Sequence, residues 1–395
     1  MKMKTFILLV FSLFFIQHAF SQNADAFSKK QARASLKFAA SRYQKMATEL
    51  PANRLPRTLN GEGELVTSGS GWWCSGFYPG SLWYLYQFTG SEFFKIEALN
   101  RMSLVEKEKW NTGTHDLGFM IHCSYGNAYR LTGEQNFKNI ILTASNSLIT
   151  RYNENVGCIK SWDWPEQWEF PVIIDNMMNL EMLFWASKIT NDPKYRNIAL
   201  RHARTTMKNH FREDNSSWHV IDYDPLSGEV LDRATAQGHS DQSAWSRGQA
   251  WGLYGYTMTY RETGKKEFLK QAEGIAEFIL NHENLPEDMI PYWDFNAPEI
   301  PDAKRDASSA AIMASALLEL STFSEEPANQ RYFSAAEKIL NSLSSKKYRF
   351  QEDEDGYFIL KHSVGSLPGN SEVDVPLTYA DYYYIEALMR YIRLK

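Results

Sequence analysis

MTYRETGKKEFLKQAEGIAEFIL, residues 258–280, contains the pattern that decides the fold of this chain. It runs from the end of one predicted helix, through a tight Thr-Gly turn and an aromatic residue, into a second predicted helix. The apolar positions of that second helix recur at helical spacing, and they are Phe268, Leu269, Ala272, Ile275, Ala276 and Ile279. The stretch therefore predicts a helical hairpin.

The same pattern recurs along the chain. Further copies occupy residues 84–102, 127–148 and 185–207, and a more divergent copy occupies residues 318–340. A predicted N-terminal helix, about residues 25–50, and a predicted C-terminal helix, about residues 380–394, complete a sixth pair. Six hairpins wound into a closed ring make an (α/α)6 barrel, so we expect an all-α fold of inner helices surrounded by outer helices.

Residues 1–21 have the features of a secretory signal peptide. Two lysines precede an apolar run over residues 6–16, and Ser21 ends a small-x-small cleavage site. The run is too short for a permanent membrane anchor. We therefore expect an exported protein, periplasmic or secreted, with no membrane anchor. No linker or low-complexity stretch divides residues 22–395, which predicts a single (α/α)6-barrel catalytic domain.

Composition narrows the class of ligand. The net charge of −5 argues against a nucleic-acid partner. Aromatic residues make up 14% of the chain, with 12 Trp and 21 Tyr, and many stand beside Gly, Asp and Ser, which suits the faces of sugar rings. Cys74, Cys123 and Cys158 lack metal-ligand spacing, so we expect small buried side chains, with oxidation of one pair left open. No metal or other cofactor is expected.

The loops that lead into the first helix of each hairpin carry the polar residues. In an alternating ring, all six loops reach the same end of the barrel. The side chains expected at that mouth are Trp73, Asp116, Asp175, Asp241, Arg247, Trp251, Asp306 and Asp374. Helix capping explains one Asp per helix, but it does not explain the tryptophans, His115, His239 or Arg247. Carboxylates and aromatic walls together indicate hydrolysis of a carbohydrate.

The segment FPVIIDNMMNLEMLFWA, residues 170–186, predicts a buried helix that opens with Asp175 and two asparagines. One interpretation is that Asp175 caps the helix, where the helix dipole lowers its pKa. The other is that its apolar neighbours desolvate the carboxyl group and that Asp116 lies nearby, both of which raise the pKa. The second interpretation makes Asp175 the general acid and Asp116 its partner.

Three motifs carry a resemblance to a known family. They are HDLGF at residues 115–119, IIDNMMNL at residues 173–180 and QGHSDQSAWSRGQAWGLYG at residues 237–255. They resemble, in the same order, motifs of the unsaturated glucuronyl hydrolases, glycoside hydrolase family 88, and the similarity extends from about Trp73 to the C-terminus. Members of that family are (α/α)6 barrels that act on the unsaturated uronic acid left by polysaccharide lyases.

The resemblance implies roles for particular side chains. Asp175 matches the family's acid/base, and Asp116 matches its second essential carboxylate. The substrate-pocket positions of the family correspond to Trp73, His115, Trp162, His219, Gln237, Arg247 and Trp251. The implied reaction releases a 4,5-unsaturated uronic acid from the non-reducing end of lyase-generated oligosaccharides, by hydration of the C4=C5 double bond.

Other interpretations of these residues remain open. The same fold serves an unsaturated rhamnogalacturonyl hydrolase or a conventional inverting glycosidase, and a non-catalytic carbohydrate-binding protein would also need aromatic and polar groups. Arg247 either binds a uronate carboxylate or pairs with Asp241 on the rim. His219, in a predicted strand hairpin around residues 218–234, is either structural or part of the pocket. We interpret three further tryptophans as packing residues, namely Trp164, Trp168 and Trp293.

One departure from the family concerns sulfate. Members that accept sulfated substrates resemble one another in a loop written S-x-x-S-x-K, whose hydroxyls and ammonium hold the sulfate. Here Ser363 and Ser366 remain, and Pro368 stands where the lysine would be. Lys361 lies close in sequence as a possible substitute. We expect a preference for unsulfated substrates at this loop, because proline supplies neither charge nor a backbone N–H.

Overall fold

The computed structural model describes residues 27–395. The predicted signal peptide and the first two residues of the predicted N-terminal helix lie outside the described residues. The α-helices are α1 (Lys29–Glu49), α2 (Phe77–Thr89), α3 (Glu92–Val105), α4 (Asn127–Thr132), α5 (Gln135–Ile149), α6 (Leu180–Thr190), α7 (Pro193–Asn209), α8 (Ser246–Thr263), α9 (Lys266–Asn281), α10 (Ala307–Leu320), α11 (Ala328–Leu343) and α12 (Thr378–Leu394). A π-helix at Gly118–Gly126 precedes α4, and 3₁₀ helices occupy Glu106–Trp110 and Ile174–Asn179.

The helices form a closed double ring. The inner ring consists of α2, the π-helix, α6, α8, α10 and α12; each contacts the next, and α12 contacts α2. The outer helices α1, α3, α5, α7, α9 and α11 each pack against one or two inner helices. This arrangement is the (α/α)6 barrel that the hairpin repeat predicts, and it confirms the pairing of the N-terminal and C-terminal helices.

The turn inside each repeat has a common backbone conformation. Gly90, Gly133 and Gly264 follow their helices with φ of 70°, 71° and 65°, and Asn191 follows α6 with φ of 58°. A left-handed residue at this position ends a helix with little steric cost only if it is Gly or Asn. The divergent repeat ends α10 at Ser321 in the right-handed region instead. The Thr-Gly and Asn-Asp turns of the sequence are therefore helix terminators.

Inner and outer helices differ in burial, as the ring requires. Every residue of α10 is buried except Glu319, because other helices surround an inner helix on all sides. The outer helix α9 buries one stripe, consisting of Phe268, Ala272, Ile275, Ala276 and Ile279. Five of the six apolar positions that predicted this helix from sequence therefore face the core, and only Leu269 lies at its margin.

Short β-strands lie in the segments between the helices of the barrel. They are β1 (Leu55–Leu59), β2 (Leu65–Ser68), β3 (Tyr152–Asn153), β4 (Cys158–Ile159), β5 (Pro171–Ile173), β6 (Val220–Tyr223), β7 (Val230–Ala234), β8 (Ser363–Ser366) and β9 (Ser371–Val375). The predicted hairpin is confirmed as β6 and β7. The prediction of one helix over residues 170–186 is wrong at its start. Strand β5 pairs antiparallel with β6, and α6 begins only at Leu180. A β-branched run that finds a partner strand takes the extended conformation.

Three further structural findings concern the described part of the chain. Across residues 27–395, the helices are too short or too polar for any of them to cross a bilayer. All three cysteines lie in this range and none is paired; Cys74 and Cys158 are buried, and Cys123 is partly buried. No group of three His, Cys, Asp or Glu side chains within the range has the arrangement of a metal site.

Candidate active site

Asp175 is the second residue of the 3₁₀ helix that joins β5 to α6. Its side chain caps neither this helix nor α6, so the capping interpretation is wrong. The residue is only 8% exposed, and its Oδ2 atom has no hydrogen-bond partner among the described residues. Burial raises the pKa of Asp175 to about 7, although the charge of Arg247 opposes this rise and the charge of Asp116 adds to it. A carboxyl group with this pKa is matched to proton donation near neutral pH.

Asp116 lies close enough to Asp175 for its charge to raise the pKa of that carboxyl group. Its own carboxylate is held from two sides. Oδ2 accepts a hydrogen bond from the Thr114 hydroxyl at 2.7 Å, and Oδ1 lies 3.2 Å from Nε2 of His115. His115 is buried, and burial lowers its pKa, so the imidazole stays neutral behind Asp116. The two predicted carboxylates therefore belong to one site.

A tight contact joins the segments that carry the two carboxylates. The backbone N–H of Phe119 donates to Oδ1 of Asn179 at 3.1 Å. A Cβ atom on Gly118 would lie 2.6 Å from Cα of Asn179, so only glycine allows this approach. Asn176 donates from Nδ2 to the carbonyl of Ile159 at 2.8 Å. Asn176 and Asn179 thus hold backbone segments in place. Of the three polar side chains at the start of this segment, Asp175 is the one available for chemistry.

His219 precedes β6 and faces Asp175. Its Nδ1 accepts hydrogen bonds from the backbone N–H groups of Ala236 and Gln237 at 3.0 and 3.2 Å. Because Nδ1 is an acceptor, the ring proton must be on Nε2, which lies 3.7 Å from Oδ2 of Asp175. Burial lowers the pKa of His219 to about 3, with the charge of Arg247 acting in the same direction. A neutral imidazole N–H therefore faces the acid, just beyond hydrogen-bond length.

Arg247, near the start of α8, is fully buried and forms an ion pair at 3.1 Å with Asp306. It also donates to the carbonyl of Val364 and, at 2.5 Å, to that of Gly365. The alternative that Arg247 pairs with Asp241 on the rim is wrong. Asp306 supplies the partner because it caps α10, and α10 packs beside α8 in the inner ring. Binding of a uronate carboxylate by Arg247 stays a prediction.

Two other carboxylates expected at the mouth have local roles. Asp374 pairs with Lys304 at 2.8 Å and with His362 at 2.6 Å. Asp241 is exposed and accepts a hydrogen bond from the backbone N–H of Thr235 at 2.8 Å.

The hairpin of β8 and β9 is tied to the site through its carbonyl groups. Gln237 donates from Nε2 to the Gly365 carbonyl at 3.0 Å, the same carbonyl that Arg247 contacts. Ser363 is fully buried, and its hydroxyl has no partner among the described residues, whereas the Ser366 hydroxyl accepts from the backbone N–H of Gly369 at 3.2 Å. The two serines of the predicted sulfate loop thus lie on strand β8.

The suggestion that Lys361 replaces the missing lysine of this loop is wrong. Its ammonium pairs with Glu354 at 3.1 Å and donates to the Lys346 carbonyl at 3.1 Å, so its charge is already engaged. Besides Lys304 and Arg247, the hairpin is contacted by a cation that the sequence analysis did not single out, Arg57, which pairs with Glu372 at 2.5 Å. Sequence reasoning missed Arg57, because 315 residues separate it from Glu372.

The tryptophans divide into buried and accessible groups. Trp73 is partly exposed and packs against Tyr379 and Phe119, with ring centroids 4.8 and 5.4 Å apart. Trp251 is completely buried and packs against the same Phe119, with ring centroids 5.2 Å apart. The indole N–H of Trp251 has no partner among the described residues, and its proximity lowers the pKa of Asp175. In this structure Trp251 is therefore a buried neighbour of the Asp175 carboxyl group, and it presents no open face to a sugar.

The rings of Trp162 and His219 pack edge to face, with their centroids 5.9 Å apart. Because His219 faces Asp175, this contact places Trp162 near the Asp175 carboxyl group. The packing interpretation holds for Trp293, which is 3% exposed, and for Trp168, which lies against a small apolar cluster. It is wrong for Trp164, which is 68% exposed and stacks on Trp162.

Comparisons with known proteins agree with this geometry. Residues 52–391 match the family model described as Glycosyl Hydrolase Family 88. An unsaturated glucuronyl hydrolase of Formosa agariphila is 44% identical over 99% of this chain and 98% of its own length. An unsaturated chondroitin disaccharide hydrolase of Streptococcus pyogenes is 32% identical over 81% of both chains.

Solved structures give the same result. The crystal structure of an unsaturated glucuronyl hydrolase described as specific for heparin is 48% identical, with a TM-score of 0.90, and the match covers 93% of this chain and 98% of that one. The enzyme from Bacillus sp. GL1 is 31% identical, with a TM-score of 0.86, over 92% of this chain and 97% of that one. On the family match and the near full-length identity together, the chain belongs to glycosyl hydrolase family 88.

Proposed function

We propose that this glycoside hydrolase is an unsaturated glucuronyl hydrolase that removes a 4,5-unsaturated uronic acid from the non-reducing end of oligosaccharides. The observation that carries the proposal is the buried carboxyl group of Asp175, whose pKa is raised to about 7 beside the second carboxylate, Asp116. Relatives named as unsaturated glucuronyl and unsaturated chondroitin disaccharide hydrolases support the substrate class.

The proposed reaction begins with proton transfer from Asp175 to C4 of the unsaturated ring. The substrate is an enol ether, so the positive charge that develops is shared by C5 and the ring oxygen, and Asp116 stabilises it. Water then adds to C5 and gives its proton to the Asp175 carboxylate, which restores the acid. The C5 hemiketal opens by breaking its bond to the ring oxygen, and the resulting hemiacetal at C1 collapses to release the neighbouring sugar.

The neutral His219 fits this sequence of steps. Its Nε2–H faces Asp175 and cannot become a competing acid at neutral pH, because two backbone N–H groups occupy Nδ1 and burial lowers the pKa of His219 to about 3. It stabilises the carboxylate that remains after proton transfer, once the two groups close the 3.7 Å between them. Arg247 supplies a fixed positive charge on the same side.

The direct test compares an unsaturated glucuronyl disaccharide with the matched saturated glucuronide. We expect the protein to consume the first, with loss of the ultraviolet absorbance of the conjugated double bond, and to leave the second intact, because it offers no double bond to protonate. Comparable hydrolysis of the saturated glucuronide would instead establish a conventional inverting glycosidase. Turnover of unsaturated rhamnogalacturonyl substrates alone would establish the corresponding rhamnogalacturonyl hydrolase.

Sulfate selectivity at the β8–β9 hairpin can be tested separately. We expect about tenfold higher kcat/KM for an unsulfated disaccharide than for its counterpart with a sulfate facing this hairpin, since one charge-assisted hydrogen bond to an anion is worth roughly 1.5–3 kcal/mol. Pro368→Lys should raise kcat/KM for the sulfated member, because Pro368 is exposed in the turn and the substitution disturbs no packing. Lys361→Met is the matched control and should leave the ratio unchanged. Faster turnover of the sulfated member by the unaltered protein would contradict the prediction.

We also propose that the protein is exported, on the strength of the signal-peptide pattern in residues 1–21. Expression of the full chain in a Gram-negative host, followed by N-terminal sequencing of the exported fraction, should give a mature protein beginning at Gln22. Retention of the intact N-terminus in the cytoplasm would contradict this.

A further inference from the structure

The end of the barrel opposite Asp175 contains a cavity of about 670 Å³, which we call the far-end cavity. The candidate catalytic groups stand where the chain enters the inner helices, so the last turns of those helices lie at the opposite end. The last turns of α2, α8, α10 and α12 line the cavity through Gln87, Arg261, Glu319 and Arg393. On α12 its wall extends inward from Arg393 to Tyr382, about 16 Å along the helix axis. The cavity therefore penetrates the barrel between its inner helices.

Phe119 closes the inner end of the far-end cavity and separates it from the candidate active site. One part of its ring lines the cavity, and the ring also packs against Trp73 and Trp251, with centroids 5.4 and 5.2 Å apart. The described lining includes neither Asp116 nor Asp175. A ligand in the far-end cavity would therefore bind outside the site that contains the two carboxyl groups.

Aromatic side chains form much of the cavity wall. They are Tyr84, Tyr129, Trp185, Tyr254, Tyr382 and Tyr383. Trp185 and Tyr129 pack edge to face, with ring centroids 5.4 Å apart, and both stay partly exposed. The hydrogen-bonding side chains of Gln87, His122 and Asn127 also line the cavity. Open aromatic surface beside amide and imidazole groups suits a ligand with both an apolar face and hydroxyl groups, such as a sugar ring.

The acidic side chains of the far-end cavity are already paired. Glu181 and Glu319 both form ion pairs with Arg261, the second at 2.8 Å. Glu319 also pairs with Arg390, and Glu386 lies 3.6 Å from the same guanidinium group. These pairs neutralise one another, so they neither demand a cation nor strongly repel an anion.

Arg130, by contrast, carries a charge at the mouth of the cavity that no described carboxylate neutralises. Its Nη2 donates to Oε1 of Gln87 and to Oδ1 of Asn127, each at 3.0 Å, and its guanidinium lies 5.6 Å from the ring centre of Tyr84. Within the described residues, Nη1 of Arg130 has no hydrogen-bond partner, and Arg393, also in the lining, has no carboxylate partner. A guanidinium group held along one edge can offer its other N–H groups to an anion with little further loss of side-chain entropy.

We infer that the far-end cavity is a second, non-catalytic binding site for an acidic sugar. Arg130 binds the carboxylate of the sugar and Arg393 adds positive charge, while the ring of the sugar packs against Trp185 and Tyr129. A cavity of about 670 Å³ is large enough for one or two sugar rings. The inference goes beyond the proposed function, because the site takes no part in the proposed reaction.

The test is calorimetric titration of the protein with glucuronate and, separately, with glucose, which lacks the carboxylate. We expect a binding event for glucuronate that is at least about tenfold weaker for glucose. Arg130→Gln should weaken this event about tenfold and leave kcat/KM for an unsaturated disaccharide within about twofold, because Arg130 is exposed and lies away from the two carboxyl groups. Arg33→Gln is the matched control, at an exposed arginine of outer helix α1, and should change neither value.

Two further variants locate the event. Trp185→Leu should weaken it because the aromatic face is lost, whereas Asp175→Asn should retain it at the unaltered affinity. A glucuronate event that Arg130→Gln leaves unchanged, or that Asp175→Asn abolishes, would place the sugar at the candidate active site and overturn the inference. Equal affinity for glucose, equal affinity for inorganic sulfate, or no binding of glucuronate would also overturn it. None of these outcomes bears on turnover of the unsaturated disaccharide, so the proposed function is tested separately.

Discussion

Replacing Asp175 with asparagine is expected to lower kcat on an unsaturated disaccharide by about 10²-fold or more, because an amide has no proton to give to C4. The substitution preserves the size and planarity of the side chain, and it removes a carboxyl group that is costly to ionise in its buried position. Substrate binding should survive in the variant. Turnover is measured by loss of ultraviolet absorbance, and binding by calorimetry at substrate concentrations that the variant does not consume.

The pH profile gives an independent readout of the same group. Since the acid must be protonated, kcat/KM of the unaltered protein should fall as pH rises through about 7, the pKa of Asp175. The same raised pKa makes the folded state bind a proton more tightly than the unfolded state does, so the free energy of unfolding falls as pH rises from about 4 to about 7. Asp175→Asn should lack this loss and should melt no lower than the unaltered protein at pH 8. Near-normal turnover in Asp175→Asn would refute the mechanism. Binding of the disaccharide by an unaltered protein that shows no turnover would favour a sugar-binding protein.

Replacing Asp116 with asparagine is expected to lower kcat by about 10²-fold, because the developing positive charge on the ring loses a stabilising carboxylate. A second effect distinguishes this variant from Asp175→Asn. The negative charge of Asp116 contributes to the raised pKa of Asp175, so its removal should shift the alkaline limb of the pH profile to lower pH. The measurement is the pH dependence of kcat/KM in the unaltered protein and in the variant.

A conservative control accompanies this prediction. Thr114→Val removes the hydroxyl that donates to Asp116 at 2.7 Å but keeps both carboxylates. It should reduce kcat much less than Asp116→Asn does. If Asp116→Asn kept both its turnover and its pH profile, Asp116 would be a structural residue of the loop and would have no part in the reaction.

The sequence by itself determined the architecture, because the information for a helical hairpin is local. Apolar spacing of 3.6 residues fixes which face of each helix is buried, and Gly or Asn at the left-handed position fixes where each helix ends. Closing six such hairpins into a ring buries the inner face of every one of them. The proximity of Asp116 and Asp175 was also predictable, since both stand in the segments that enter inner helices and thus reach the same end of the barrel.

What the sequence left open depends on contacts between distant parts of the chain. The partner of Arg247 is Asp306, 59 residues away, and the ring brings the two together by placing α8 beside α10. The tautomer of His219 depends on two backbone N–H groups 17 and 18 residues further along. The segment before Asp175 is extended because β6 offers it hydrogen bonds, although its apolar pattern is equally compatible with a helix. Local propensity thus fixes the elements and their order, whereas protonation, ion pairing and the exposure of Trp164 depend on which surfaces the closed ring brings into contact.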